Sequence, residues 1–340
     1  MSINKNPVVA VVGATGAVGE AMLSILAERQ GTDCKVHAVA SERSFGKSVD
    51  FGRHSLDVEV LDDFDFNGVD FALFSAGAKI SKKYAPRAVK AGCIVIDNTS
   101  EFRYKKKIPL VVPEVNADLL ENIGPGTIIA NPNCSTIQLV VAINPIHKAV
   151  GIDRINIATY QSVSGAGSAG MEELARQTMA RLNFGEVKAE AFRQPIAFNV
   201  LPEIDTMQEN GYTREEMKLQ WETCKILGDK NVKVNATAVR VPVFFAHSEA
   251  VHLETCNDID IDEVIRLLKK APGVRVVNDT GKGFATAVTH AAGKDDVFVS
   301  RVRRDHTHSR GINLWIVSDN VRKGAALNAV QIMEAIQNRA

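Results

Sequence analysis

The chain has 340 residues, 45% of them apolar and 24% charged, with 40 Lys and Arg against 40 Asp and Glu. This length accommodates two domains with well-buried cores, and the composition excludes a disordered or collagen-like chain. Zero formal charge argues against nucleic acid as the main partner, since phosphate binding needs a basic surplus. No apolar run reaches the roughly 18 to 20 residues of a membrane span.

In the first third, short β-rich runs alternate with helical patterns, as a parallel sheet with crossover helices requires. The spacing predicts buried strands over Val8–Val12, Lys35–Ala40, Asp70–Phe74, Cys93–Ile96 and Thr127–Ala130. Val18, Met22, Leu23 and Leu26 recur at helical spacing after the first strand, and Tyr84, Ala88 and Ala91 do so before the fourth. Lys5 followed by Val8–Val12 superficially resembles an export signal. The glycines Gly13, Gly16 and Gly19 give a better account of the same segment. They form a strand, a glycine turn and a helix start, where backbone N–H groups can approach a pyrophosphate at the positive end of a helix.

Cofactor choice is written at the end of the second strand, where an acid takes a ribose 2′-hydroxyl and a base takes a 2′-phosphate. Arg43 with hydroxyls at Ser41 and Ser44 favours NADP, while Glu42 leaves NAD open. Ser75, after the third strand, lies at the matching edge for further cofactor contacts.

Asn131-Pro132-Asn133-Cys134-Ser135-Thr136 follows a strand and opens an apolar helix through Leu139, Val140, Ile143 and Ile146. Cys134 therefore sits at a helix N-terminus, which favours the nucleophilic thiolate over the thiol. The other cysteines are Cys34, Cys93, Cys224 and Cys256. No two are close enough in sequence for a CxxC pair, and reduced thiols of a cytoplasmic protein fit best. Cys93 and Cys256 read as small buried hydrophobes.

From about Arg154 the pattern changes to long alternating runs, over Ile155–Ser164, Val232–Cys256, Val297–Arg303 and Ile312–Val317. A mainly antiparallel sheet with one covered face follows. Helices are expected over Met171–Leu182, Arg214–Leu227 and Asp262–Lys270, and Asp319 can cap a last helix from about Lys323 to Ile336. Thr213 and Glu216 fit a capping box, which leaves Glu215 to face a pocket with Lys218 three residues on. Met217, Trp221 and Cys224 share the other stripe and read as core.

The best proton-transfer partner for Cys134 is His247, in a run where Arg240 and His247 bracket what reads as an apolar core strand. His252 points to the opposite strand face from His247, so the two make no metal pair. His306 and His308 lie in a basic loop without a third ligand and read as solvated. Asp258-Ile259-Asp260-Ile261-Asp262 mimics a calcium loop, but Glu263 and Lys269 stand where Gly and Glu are needed. Asp260 reads instead as a helix cap. No metal is expected.

Together these segments resemble aspartate-semialdehyde dehydrogenase of the shorter bacterial type, over nearly the whole chain. The resemblance rests on the glycine loop, Asn98-Thr99-Ser100 with Phe102-Arg103, Val112 to Asn116, Asn131 to Thr136, Gln161 to Gly165, Arg240 to Glu249, and Asp319-Asn320 before Lys323 to Ala326, all in order. Glu101 and the run Gly165-Ala166-Gly167-Ser168 depart from the family pattern.

That resemblance implies a Rossmann-type NADP-binding domain, residues 1–133 plus 320–340. It also implies an α+β, glyceraldehyde-3-phosphate-dehydrogenase-like catalytic and dimerisation domain over 134–319, and a homodimer. The implied reaction is reversible reductive dephosphorylation of L-aspartyl 4-phosphate by NADPH, giving aspartate semialdehyde and phosphate, on the way to lysine, threonine, methionine and isoleucine. Cys134 would be the nucleophile and His247 the general acid/base. Arg103, Asn133, Gln161, Glu215, Lys218 and Arg240 would hold the substrate, with Arg103 and Lys218 at its phosphate and Glu215 at its ammonium. Thr15, Gly16, Ala17 and Val18 with Arg43 and Ser44 would hold the cofactor, and Ser164, Gly165, Pro195 and Asn320 would approach its nicotinamide half. Alternatives are another acyl-phosphate reductase of this architecture, such as N-acetyl-γ-glutamyl-phosphate reductase or a glyceraldehyde-3-phosphate dehydrogenase, and a non-catalytic dinucleotide-binding relative. Keeping Cys134, His247, Arg103 and Arg240 together argues against the last.

Overall fold

The computed structural model describes residues 6–31, 34–278, 281 and 283–339. They divide into two compact units, Met1–Asn133 with Ala325–Ala340 and Cys134–Gly324. Residues 320–324, placed above with the first domain, fall in the second unit, where Asn320 is tied to Ser162, Ser164 and Ala246.

The first unit runs β1 (Val9–Val12), α1 (Ala17–Gln30), β2 (Val36–Ala40), β3 (Ser48–Phe51), β4 (His54–Val60), β5 (Phe71–Phe74), α2 (Ala78–Lys90), β6 (Ile94–Asp97), α3 (Pro113–Asn116) and β7 (Ile128–Ala130). Its sheet has the order β3-β4-β2-β1-β5-β6-β7. All neighbours are parallel except the β3/β4 hairpin. That hairpin was not expected, although Val49 and Phe51 alternate with polar residues before Gly52 and Leu56 and Val58 do so after it. β1 is flanked by β2 and β5, so the chain reverses its winding there, and the crevice at the carboxyl ends of such strands is where open α/β sheets bind ligands. The core joins Met22, Leu23, Ile25 and Leu26 of α1 to Val330, Met333 and Ile336 of the C-terminal helix, Leu327–Gln337.

The second unit runs α4 (Cys134–Val150), β8 (Ile152–Gln161), α5 (Gly167–Leu182), α6 (Arg214–Leu227), β9 (Lys233–Arg240), β10 (His247–Thr255), α7 (Ile261–Lys270), β11 (Val274–Val276), β12 (Val297–Arg304) and β13 (Gly311–Ser318). The sheet order is β11-β12-β13-β10-β8-β9. In the run β12-β13-β10-β8 each strand is antiparallel to the next, and parallel strands close both edges. α4 packs on the sheet beside α6 and α7.

The single run expected over 232–256 is two strands. The chain breaks at 241–246, where Pro242 lacks a donor and Ala246 takes φ of 71°. This break positions the site. β9 is parallel to β8, so Arg240 pairs with Gln161 at the carboxyl end of β8. β10 is antiparallel to β8 on its other side, so Ser248 pairs with Tyr160 and His247 starts its strand at that same end. Residues 241–246 step over the end of β8, with Val243 and Phe244 carbonyls accepting from Val163 and Ser164.

Two core assignments are corrected. Trp221 is 43% exposed and Cys256 is exposed, whereas Cys93 is fully buried and Met217 is buried. Trp221 lies at the edge of the stripe occupied by Met217, and Cys256 follows the end of β10, where the strand no longer covers it. Asp260 caps α7 by accepting from the Asp262 amide, and Asp319 accepts from the amides of Val321 and Arg322. No helix among the described residues is long and apolar enough to cross a membrane.

Candidate active site

In the second unit the functional side chains gather where β8, β9 and β10 meet. His247 is fully buried, and its Nδ1 accepts the Ser162 amide at 3.1 Å. A backbone N–H can only donate, so the neutral ring carries its proton on Nε2. Nε2 itself has no partner among the described residues. Burial, and then the Arg240 charge, lower the imidazole pKa to about 3, so the ring is neutral at physiological pH.

Arg240 is buried and donates to the Ser162 carbonyl at 2.8 Å. Burial lowers its pKa, while the negative charge of Glu215 and of a Cys134 thiolate opposes that shift. A Cβ on Gly165 would come within 2.8 Å of an Arg240 guanidinium nitrogen and 3.4 Å of His247 Nε2, so the missing side chain leaves room beside both groups. A Cβ on Gly324 would lie 2.9 Å from Cys134 Cβ, so the turn containing Gly324 packs directly on the cysteine. Cys134 is half-buried and is the first residue of α4. Helix N-termini stabilise a thiolate through their free N–H groups and dipole.

The capping box at Thr213 is formed. Its hydroxyl accepts from the Glu216 amide, and Glu216 accepts from the Thr213 amide at 2.6 Å. Glu216 is thereby occupied and Glu215 turns inward, where Gln161 Nε2 donates to it at 3.2 Å and Lys218 Nζ lies 2.8 Å away. Lys218 also meets Asp205 at 2.8 Å. Burial lowers the ammonium pKa, but Glu215 and Asp205 together outweigh it and hold Lys218 charged.

Sequence reasoning did not find Asp205. It lies between α5 and α6, at φ of 71° in the left-handed region, a conformation costly for a residue other than Gly and often kept at functional sites. No pattern marks it. Asp205 and Arg240 also line a cavity of about 450 Å³, with Phe192, Leu201 and Glu203. Ser162 is the second omission, although it stands inside a motif already singled out. Its hydroxyl donates to Asn320 Oδ1, which also accepts from Ser164 Oγ and the Ala246 amide. Asn320 thus fixes the loops on both sides of His247. Pro195 is partly buried on the connection between α5 and α6 and takes no part in these hydrogen bonds among the described residues.

Arg103, Asn133 and the cofactor-loop residues belong to the first unit. Arg103 is buried and donates to the Asn98 carbonyl at 2.6 Å, and Asn133 is buried. Gly13 through Val18 join β1 to α1, whose N-cap Gly16 supplies no side-chain hydrogen bond, so the first amides of the helix stay available for an anion. Thr15 and Ser44 hydroxyls meet at 3.1 Å, tying the glycine turn to the Ser41–Ser44 loop. Ser41 and Arg43 are exposed, and Arg43 makes no hydrogen bond or ion pair among the described residues. Ser75 donates to the Val12 carbonyl and flanks the same turn. An uncapped helix start, two hydroxyls and an unpaired guanidinium fit a dinucleotide carrying an extra phosphate.

His252 Nε2 pairs with Asp305 at 2.8 Å and faces the His308 ring. No group of three potential metal ligands occurs among the described residues.

Comparison with known proteins matches two segments of the chain to family models. Residues 8–123 match the family described as semialdehyde dehydrogenase, NAD binding domain, and residues 143–323 match semialdehyde dehydrogenase, dimerisation domain. An aspartate-semialdehyde dehydrogenase of Legionella pneumophila is 56% identical over 97% of this chain and 95% of its own length. The structure of aspartate semialdehyde dehydrogenase II from Vibrio cholerae, complexed with ASA, superposes with a TM-score of 0.95 at 52% identity, covering 98% of this chain and 99% of that one. An aspartate semialdehyde dehydrogenase from Candida albicans, solved with NADP, gives a TM-score of 0.77 at 25% identity over 98% and 99% of the two chains.

Proposed function

This chain belongs to the aspartate-semialdehyde dehydrogenase family, and from that premise we propose how its residues divide the work of an NADP-dependent oxidoreductase of amino-acid biosynthesis. The reaction is the reversible conversion of L-aspartyl 4-phosphate to L-aspartate 4-semialdehyde and phosphate. The observation that carries this reading is the convergence of Arg240, Gln161 and His247 at one end of β8, in the unit that begins with Cys134.

Cys134 sulfur attacks the acyl carbonyl, the carbon–oxygen bond to phosphate breaks, and a thioester remains on the enzyme. NADP in its reduced form, when bound, supplies the hydride that the thioester carbon needs. His247 offers its Nε2 proton to the oxygen that gains negative charge. Nδ1 stays held as the acceptor of the Ser162 amide, so Nε2 is the one ring atom that gives and takes back the proton. The thiohemiacetal hydroxyl then returns its proton to His247 Nε2, the carbon–sulfur bond breaks with its electron pair leaving on Cys134 as thiolate, and the aldehyde leaves.

Arg240 suits the substrate carboxylate because its guanidinium can donate two parallel hydrogen bonds. Glu215, held by Gln161 and Lys218, suits the ammonium. Lys218 and Arg103 suit phosphate, and Asn133 completes the set. Gly13, Thr15, Gly16, Ala17 and Val18 hold the pyrophosphate side of NADP, Ser41, Arg43 and Ser44 its 2′-phosphate, and Ser75, Ser164, Gly165, Pro195 and Asn320 the remainder. The domain boundary falls near residues 133 and 320 to 324.

We assign the protein to the cytoplasm as a homodimer. None of its five cysteines forms a disulfide, and Met179, Leu182, Phe184, Phe198 and Val200 expose apolar surface in the unit that matches a dimerisation domain.

Purified protein should reduce NADP when given aspartate semialdehyde and phosphate, with little rate once phosphate is omitted. A phosphate-independent rate would indicate a hydrolytic aldehyde dehydrogenase instead. Arg43→Glu should raise KM for NADPH markedly relative to NADH, because a carboxylate repels the 2′-phosphate and suits a free hydroxyl. An unchanged ratio of the two KM values removes Arg43 from that site.

A further inference from the structure

One fully buried acid has no part in the chemistry above. Glu249 is 0% exposed, and among the described residues neither carboxyl oxygen has a hydrogen bond or ion pair. The same holds for both polar atoms of Gln138, which is 1% exposed. Glu249 lies two residues after His247 on β10 and so points to the same face of the sheet. Gln138 lies four residues after Cys134 on α4, one turn below it on the same side of the helix. α4 packs on β10.

Across the strands, Glu249 has Thr159 of β8 on one side and Ile316 of β13 on the other. After Cys134, α4 carries no ionisable side chain before His147. Among the described residues no cation is paired with the carboxyl. Burial pushes its pKa well above the usual carboxylate range, and Gln138 is the one side chain that opposes this.

We propose that Glu249 and Gln138 are positioning residues, a buried polar tie between the helix that begins with Cys134 and the strand that begins with His247, in which Glu249 serves as a neutral acid. A carboxylic acid can donate its O–H to Gln138 Oε1 and accept from Nε2, so one contact satisfies both groups. An ionised Glu249 would lose the donor and leave a buried charge unpaired. It would also place negative charge below the helix turn that holds the thiolate. Separations between nucleophile and proton donor are unforgiving, since a misplacement of about 1 Å can cost on the order of 100-fold in rate.

The inference rests on the roles given to Cys134 and His247, so its test includes a readout of each. Infrared difference spectra between wild type and Glu249→Gln at pH 7 should show the C=O stretch of a protonated carboxyl in the wild type. Carboxylate bands in its place would overturn the neutral acid. Glu249→Gln, which keeps shape and neutrality, should hold kcat within about 3-fold and leave the pH profile of Cys134 alkylation by iodoacetamide unmoved. Glu249→Leu and Gln138→Leu should each lower kcat by roughly 10- to 100-fold at unchanged KM for NADP. The double variant should be no worse than the more impaired single one.

A Gln variant as impaired as the Leu one, full activity in the Leu variants, or additive losses would overturn the tie. If the Leu variants do not fold, the infrared band and the Gln variant still decide. Unselective alkylation of the wild type would instead sink the nucleophile reading, and the tie with it. Selective alkylation with an indifferent Glu249→Leu sinks the tie alone.

Discussion

Cys134→Ala should abolish turnover, with a loss of at least about 10⁴-fold in kcat, while NADP still binds. No other cysteine can take over. Cys34 and Cys93 are buried and their thiol pKa values are pushed up by burial, Cys93 to about 12. Cys224 is likewise raised and hydrogen-bonds to the Val232 carbonyl, and Cys256 lies past the far end of β10 from His247. Covalent catalysis has no residual path once its nucleophile is gone. Fluorescence titration with NADP, against the same titration of the wild type, separates loss of chemistry from loss of fold. Retained turnover would remove Cys134 from the reaction.

His247→Asn should lower kcat by about 10²- to 10⁴-fold, the usual contribution of a positioned proton donor, with a smaller effect on KM for NADP. The substitution also has a signature in stability. In the unfolded chain this imidazole takes up a proton as pH falls below about 6.5. In the folded chain it does so only near about 3. The unfolded state therefore binds more protons between these values, and stability from this group, fully present above pH 6.5, is lost as pH falls toward 3. The wild type should lose Tm relative to His247→Asn between pH 7 and pH 4, by an amount equivalent to a few kcal/mol. Parallel Tm curves for the two proteins would mean that His247 is not held neutral.

The neutral imidazole bears on the mechanism as well. The helix N-terminus and the Arg240 charge both favour the Cys134 thiolate. His247 is then free to act later, on the oxygen rather than the sulfur. A cysteine–histidine pair that exchanged its proton before substrate arrived would need a ring pKa near that of the thiol. Burial and the Arg240 charge work against protonation of the ring and so against such an exchange.

Several features were legible because their causes lie within a few residues. The glycine turn follows from a strand, three glycines and an apolar helical stripe in one stretch. The position of Cys134 at a helix start follows from the apolar periodicity after it, and the release of Glu215 from Thr213 and Glu216, which cap the helix over one turn. Helix termini and caps are local hydrogen-bonding problems, so a local sequence states their solution.

The meeting of Arg240 and His247 was decided elsewhere. The apolar run between them reads as one strand, since periodicity cannot separate a continuous strand from two strands that flank a third. Only the order β10-β8-β9, with one neighbour antiparallel to β8 and the other parallel, bends residues 241–246 over the end of β8 and brings the two side chains to Gln161. Asp205 beside Lys218, and the Ser162 amide that fixes the His247 tautomer, depend on contacts between segments far apart in the chain. The sequence by itself determined which groups carry the chemistry and how their helices begin. Their mutual geometry comes from strand order and direction, long-range backbone pairings that no single segment encodes.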